Sequence, residues 1–206
     1  MKQTLVKALL AIAAIVLAFL LYESIMRPIR FNQVQKTRYE ATIDKLKDIR
    51  KAQQAYKSVN GSYAGNFDDL IEFIKTDSFP IVKKMGEYNM DEMTEDEAYR
   101  KGYITRDTIR VSVKDSLFSK RKHLESLRYV PFTAKVPFNL DTATITTGSK
   151  VKVKVFEASV PDTVLLHGLN EQLITNFTVR RYKMTGYPGL RVGSLEEATN
   201  DAGNWE

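Results

Sequence analysis

The sequence predicts an α+β protein in which an N-terminal transmembrane helix continues into an amphipathic helix packed on a small antiparallel β-sheet. Three observations predict it. Residues 8–22 are apolar or aromatic without exception, residues 39–59 carry apolar side chains every three or four positions, and strand-like runs dominate from residue 103 onward. The 206 residues then divide into an anchor at 1–27, an amphipathic helix at 28–60 and an α+β globular domain at 61–206 that packs with 37–60.

The anchor comes first. Leu5 and Val6 extend the apolar run past Lys7, and as a helix 5–22 would rise about 27 Å at ~1.5 Å per residue, close to a hydrocarbon core of roughly 30 Å. Leu5, Leu10, Ile15, Phe19 and Tyr22 are the expected membrane-facing side chains, with Tyr22 at interfacial depth. Lys7 lies one turn inside and can reach the headgroups along its alkyl stem. A cleaved signal peptide is the competing reading, but the chain after the run reads Leu21, Tyr22, Glu23, Ser24, Ile25, Met26, with no small-x-small cleavage site.

A basic collar follows. Arg27, Arg30, Lys36, Arg38, Lys45, Lys47, Arg50 and Lys51 are opposed by Glu40, Asp44 and Asp48 alone, within a chain of net charge +6. Beside an anchor such a collar suits anionic headgroups. No nucleic-acid motif or aromatic platform accompanies it, so nucleic acid is not an expected partner. Counted as a positive-inside signal, the collar mildly favours a cytoplasmic domain.

Beyond Pro28 the pattern becomes amphipathic. Tyr39, Ile43, Leu46, Ile49, Tyr56 and Val59, with Ala52, form one stripe for packing on the domain's own sheet, and Asn60 with Gly61 supplies the stop. Pro28 leaves two alternatives, separate helices or one long helix bent there. Asn66 caps a short helix at 67–75. Asp91, Glu92, Glu95, Asp96 and Glu97 form an acidic cluster, which a solvated helix start with a Thr94–Glu97 capping box explains as well as a metal site does. Strands are expected at 104–113, 129–136, 143–147 and 151–156, and more weakly at 177–182 and 189–192. Lys150, Lys152 and Lys154 mark a wet face of the 151–156 strand.

Chemistry is sparse. The chain has no cysteine, which excludes thiolate catalysis, cysteine-ligated zinc and disulfides. His123 and His167 stand alone, and no nucleophile elbow, phosphate loop or dinucleotide fingerprint is present, so neither an enzymatic activity nor a small-molecule substrate is expected. The C-terminal segment holds Glu196, Glu197, Asn200 and Asp201, hard oxygen donors of the kind calcium takes; the plainer alternative is a solvated turn whose Trp205 docks on the domain.

Two stretches resemble the type IV pilin and type II secretion pseudopilin superfamily. One is 48–64, with Ala52, Ala55, Tyr56, Asn60, Gly61 and Tyr63, followed by Phe67, Asp68, Asp69 and Leu70; it is similar to the end of a pilin's long helix. The other is Asn200, Asp201, Ala202, Gly203, Asn204 and Trp205, similar to the end of major pseudopilins. The resemblance covers about a quarter of the chain. It departs from the family in that no glycine precedes the anchor and the first acidic residue is Glu23, at the anchor's far end. The resemblance implies a non-enzymatic, pseudopilin-like subunit of an envelope assembly or secretion system in the inner (cytoplasmic) membrane. It places the N-terminus in the cytoplasm and the domain on the outer side, against the charge count. It implies as partners the lipid bilayer and other membrane-protein subunits, including copies of itself, and points to Glu196, Glu197, Asn200 and Asp201 for calcium, no other cofactor being expected. The alternative is a membrane-tethered binding or scaffold module that does not polymerise.

Overall fold

A computed structural model describes residues 2–89, 93–119 and 123–206. One helix, α1 (Lys2–Asn60), accounts for the first 59 of these. Pro28 lies inside it without ending it, so the single long helix holds; proline leaves the Ser24 carbonyl without its helical donor and crowds it with the ring. Gly61, at φ 66, follows the helix end as expected, its N–H closing on the Lys57 carbonyl.

The two halves of α1 have opposite surroundings. In the outward half the apolar side chains are exposed, whereas Phe31, Tyr39, Leu46, Ile49 and Ala52 are buried with little or no exposure. Packing therefore starts at Phe31, earlier than residue 37, because Phe31 and Tyr39 both meet Phe177 edge-on, at 6.2 and 5.6 Å between ring centroids. The expected stripe holds at Tyr39, Leu46 and Ile49, with Ile43 and Tyr56 half-buried against the core. Val59 is a correction. It is 39% exposed, because the stripe has rotated past the domain by the last turn of the helix.

Behind α1 lies a three-stranded antiparallel sheet in the order β3-β4-β5, built from β3 (Asn139–Thr146), β4 (Lys152–Pro161) and β5 (Gly189–Gly193). Phe156, Val160, Leu190 and Val192 face the core. The separate lysine face expected for 151–156 is a correction: Lys152 and Lys154 share the face of Phe156, Ala158 and Val160, Lys154 Nζ donating to the Gly61 carbonyl, and both are exposed at the outer end of the strand. The outer edge of β5 is covered by the chain's own end: Gly193 N–H donates to the Ala202 carbonyl and Asn204 N–H to that of Arg191. Helix α2 (Phe67–Thr76) closes the core from the other side with Leu70, Ile71 and Ile74, capped by Asn66 as predicted, its side chain accepting from Asp69 N–H. Each such fully buried aliphatic or aromatic side chain contributes about 1.5–3 kcal/mol of transfer free energy.

A separate two-stranded ribbon projects from this core. Strand β2 (Thr105–Ser112) falls where alternation predicts a strand, and pairs along its whole length with β1 (Ser78–Met85). The partner strand has no clean period-two signal, since Pro80, Lys83 and Lys84 interrupt it. Between them sits α3 (Glu95–Arg100), opened by the expected Thr94–Glu97 capping box. The remainder of the acidic cluster, Asp91 and Glu92, lies outside the described residues. Helix α4 (Val113–Leu117) returns the chain to the core.

Two expected strands are corrected. Residues 129–136 form turns with a lone bridge, Tyr129 to Pro137, because Phe132 and Lys135 take left-handed backbone at φ 60 and 59, next to Pro131. Residues 177–182 belong to α6 (Glu171–Thr185), which follows the short α5 (Asp162–Leu165). Asn170 caps α6 through Leu173 N–H, and Leu173, Ile174 and Phe177 turn to the core at helical spacing. The phenylalanine, valine and tyrosine there suit a strand locally, and tertiary packing overrides that preference.

Candidate functional site

The predicted functional residues form two groups, an uncovered helix and a fastened C-terminal loop. In the first, Leu10, Ile15, Phe19 and Tyr22 are all exposed, Ile15 at 69% and Phe19 at 62%, and the side chain of Leu5 lies outside the described set. A core helix of this composition would be largely covered; here the apolar window is wholly uncovered, and the helix is long and apolar enough to cross a membrane. At its outer end Glu23 accepts from Arg27 Nε and from the Arg30 guanidinium, both at 3.4 Å, so the acid is neutralised within its own helix.

The collar then divides by role. Arg27 and Arg30 remain exposed beside the apolar run. Farther along, three of the cations turn inward, while Lys36 and Lys51 stay exposed. The Arg38 guanidinium donates to the carbonyls of Leu165 and His167 at 2.9 Å, and Lys45 Nζ donates to those of Ser126 and Tyr129. Arg50 meets Glu206 at 2.8 Å. These three clamp α1 to the domain, so the headgroup role expected of the whole collar does not extend to them. Deeper still, Gln53, fully buried, both donates to the Ala64 carbonyl and accepts from Ala64 N–H, leaving neither backbone group orphaned.

The C-terminal group is arranged for fastening. Ser194 Oγ accepts from Glu196 and Glu197 N–H at 3.2 Å each, and both glutamates are exposed. Asn200 and Asp201 take left-handed backbone at φ 52 and 60, and this turn brings the Asp201 carboxylate to the Tyr63 hydroxyl, at 2.8 and 3.0 Å, and to Gln54 Nε2 at 3.2 Å. Burial first, and the Asp201 carboxylate second, push the Tyr63 phenol well above its usual pKa. Lys57 Nζ adds a hydrogen bond to the same hydroxyl at 3.0 Å. The cavity here, about 170 Å³, is lined by Lys57 and Lys154 as well as by Asp201. The four residues expected for calcium are thus not gathered around one point, and among the described residues no group of three or more acidic or histidine side chains could hold a metal. Trp205 packs against the core as the plainer alternative expects; a Cβ on Gly203 would sit 2.3 Å from its ring, so only glycine admits it.

No protein-family model, no curated protein and no solved structure matches the chain.

One constellation escaped the sequence. Asp162 is fully buried, and the Tyr39 hydroxyl donates to its Oδ1, while Oδ2 and the nearby Thr178 hydroxyl have no hydrogen-bond partner among the described residues. The Arg181 guanidinium lies 5.0 Å over the Tyr39 ring and is held by the Gly189 carbonyl and Asn204 Oδ1. Burial raises the Asp162 pKa above the usual carboxylate range, against the pull of Tyr39, Arg181 and the Thr178 hydroxyl, which lies within reach of the carboxylate, and burial likewise raises that of Tyr39. In sequence, an aspartate after Pro161 reads as an ordinary helix start; only the fold places it against α1. His123 and His167 stand on separate segments, as expected, both exposed.

Proposed function

We propose that this chain is a non-enzymatic, pseudopilin-like membrane subunit of an envelope assembly or secretion system. Its N-terminus lies in the cytoplasm and its domain beyond the inner membrane. The observation that carries this reading is the division of α1: one unbroken helix whose first half is uncovered apolar surface and whose second half is the spine of an α+β core. Each exposed leucine, isoleucine or phenylalanine gains about 1.5–3 kcal/mol on leaving water. That gain is non-directional, so the same surface suits lipid before assembly and neighbouring helices afterwards. Because Arg38, Lys45, Arg50 and Gln53 fasten α1 to the domain, a displacement of the anchor carries the domain with it.

One observation favours the rival reading, a tethered module that does not polymerise. Glu23 already has both arginine partners on its own helix and offers no free charge to a neighbour. The absence of native cysteine makes the test direct. Single substitutions Ile12→Cys, Val16→Cys and Phe19→Cys, oxidised in intact membranes, should each give a disulfide-linked helix-to-helix dimer, one bond per thiol, and the pair Leu10→Cys with Phe19→Cys, on opposite faces of the helix, should extend it to a ladder. Monomers alone at all three positions would eliminate assembly and leave the tether. Release of the full chain by alkaline carbonate would eliminate both, and a reporter fused after Glu206 decides the orientation.

A further inference from the structure

Helices α1 and α6 run side by side in the same direction. Leu173 lines a cleft with Arg27 and Pro28, Phe177 meets Phe31 and Tyr39 edge-on, and Arg181 lies over the Tyr39 ring. Successive residues of α6 thus meet successive residues of α1, and the start of α6 points toward the apolar run. Its end points away: Met184, 79% exposed, lies about 18 Å beyond Gln172 at ~1.5 Å per residue. Because α1 continues through Pro28 and is clamped to the domain by Arg38, Lys45 and Arg50, the start of α6 cannot stand off from the anchor.

Between that start and α1 is a cleft of about 470 Å³, lined by Leu20, Glu23, Arg27, Asn170, Gln172 and Leu173 among others. Leu20 belongs to the uncovered apolar window, and Arg27 is the first cation beyond it. The cleft therefore opens across the boundary between hydrocarbon and headgroups. From Leu20 to Arg27 the helix rises about 10 Å, against roughly 5–8 Å for the headgroup layer of one leaflet. Whatever surrounds Leu20 thus reaches the opposite wall of the cleft. That wall suits headgroup depth, with Asn170 and Gln172 exposed and uncharged and Leu173 half-buried. Charges around the cleft balance: Arg27 and Arg30 stand against Glu23 and the exposed Glu171. Glu23 takes only Arg27 Nε, and the two terminal nitrogens of that guanidinium make no hydrogen bond among the described residues.

We infer that this cleft seats one phospholipid of the bilayer, its phosphate on the outer nitrogens of Arg27 and the top of an acyl chain between Leu20 and Leu173. The domain is then held at the membrane surface by two elements, the anchor and the start of α6. Continuity with the apolar window names the occupant, and because the surrounding charges balance, a zwitterionic lipid suffices. The inference rests on the membrane reading of α1 and holds for an assembling chain and a tether alike.

The test uses the full chain in vesicles of phosphatidylcholine alone. One fluorophore is attached in turn to Ile25→Cys, Gln172→Cys and Met184→Cys, in a chain without native thiols. Phosphatidylcholine with a nitroxide on its headgroup should quench the Gln172 label about as strongly as the Ile25 label. Quenching at Met184, which controls for the fluorophore's own attraction to lipid, should be several-fold weaker. A Gln172 label quenched no more than the Met184 label, with Ile25 quenched, overturns the seat and leaves the anchor standing. An unquenched Ile25 label overturns the membrane reading together with the seat. Occupancy is read by native mass spectrometry of the chain released from the same vesicles. A retained phosphatidylcholine is expected, several-fold less of it in Arg27→Gln and the same amount in Lys36→Gln, an exposed cation farther along α1. No retained lipid, or equal retention in the two variants, overturns the seat as well.

Discussion

Removing one oxygen from Tyr39 probes the tie between α1 and the rest of the domain. Tyr39→Phe keeps the ring, and with it the edge contacts to Phe177 and the stacking under Arg181, but deletes the hydroxyl that donates to Asp162. Asp162 is fully buried, so the change removes the donor to its Oδ1 and leaves the Thr178 hydroxyl as the other side-chain donor beside the carboxylate. A hydrogen bond to a charged group contributes about 1.5–3 kcal/mol, so a loss of about 2 kcal/mol is expected at pH 7.5. For a chain of this size that lowers the melting temperature by roughly 4–8 °C. The sign of the pH dependence follows from Asp162. Its folded pKa is raised by burial, so its contribution to stability is fully present below the unfolded carboxylate pKa and is lost as pH rises through the folded value. Tyr39 favours the charged form, so without the hydroxyl the folded value rises further and the loss grows with pH. Thermal melts of the full chain in detergent, wild type against Tyr39→Phe, should therefore diverge from pH 4.5 to pH 7.5, and Asp162→Asn should remove the divergence. An equal penalty at both pH values would refute the reasoning, because a purely steric defect does not titrate.

Three further outcomes follow from the packing. Leu46→Asp or Ile49→Asp, each buried without exposure, should cost several kcal/mol, whereas Val59→Asp should stay within about 0.5 kcal/mol; equal melting temperatures for all three would remove the assigned face of α1. Asp201→Ala should lower stability by about 1–2 kcal/mol through the lost Tyr63 and Gln54 bonds, and millimolar calcium should leave the wild-type melting temperature unchanged; a calcium-dependent rise would restore the metal reading. Gly203→Ala should displace the sole tryptophan, read as a red shift in its fluorescence, because the new methyl would occupy the ring's position.

The elements legible in sequence are those whose cause lies within a few residues. Asn66 and Thr94 cap their helices because side-chain oxygens reach N–H groups three residues on. The alternation at 151–156 gives a strand for a similarly local reason, but which of its faces meets the core, the one that carries Lys152, Lys154 and Phe156, was set by α1. Residues 177–182 went the other way: their composition suits a strand, and the decision came from Phe31 and Tyr39, more than a hundred residues earlier. The surroundings of the four oxygen donors were likewise set over distance: Ser194 accepts from Glu196 and Glu197 N–H, and the Tyr63 hydroxyl, from the end of α1, meets the Asp201 carboxylate.

By itself the sequence determined the apolar helix, since a run of side chains without charge prefers a nonpolar surrounding whatever the rest of the chain does. It also determined the caps and the absence of thiol chemistry. Only the tertiary structure decided which cations serve as clamps, that Asp162 lies under Tyr39, and that Phe132 stands exposed beside Val136, Val164 and His167. Those facts depend on where distant segments meet in space, and burial and charge pairing act between such segments irrespective of their distance along the chain.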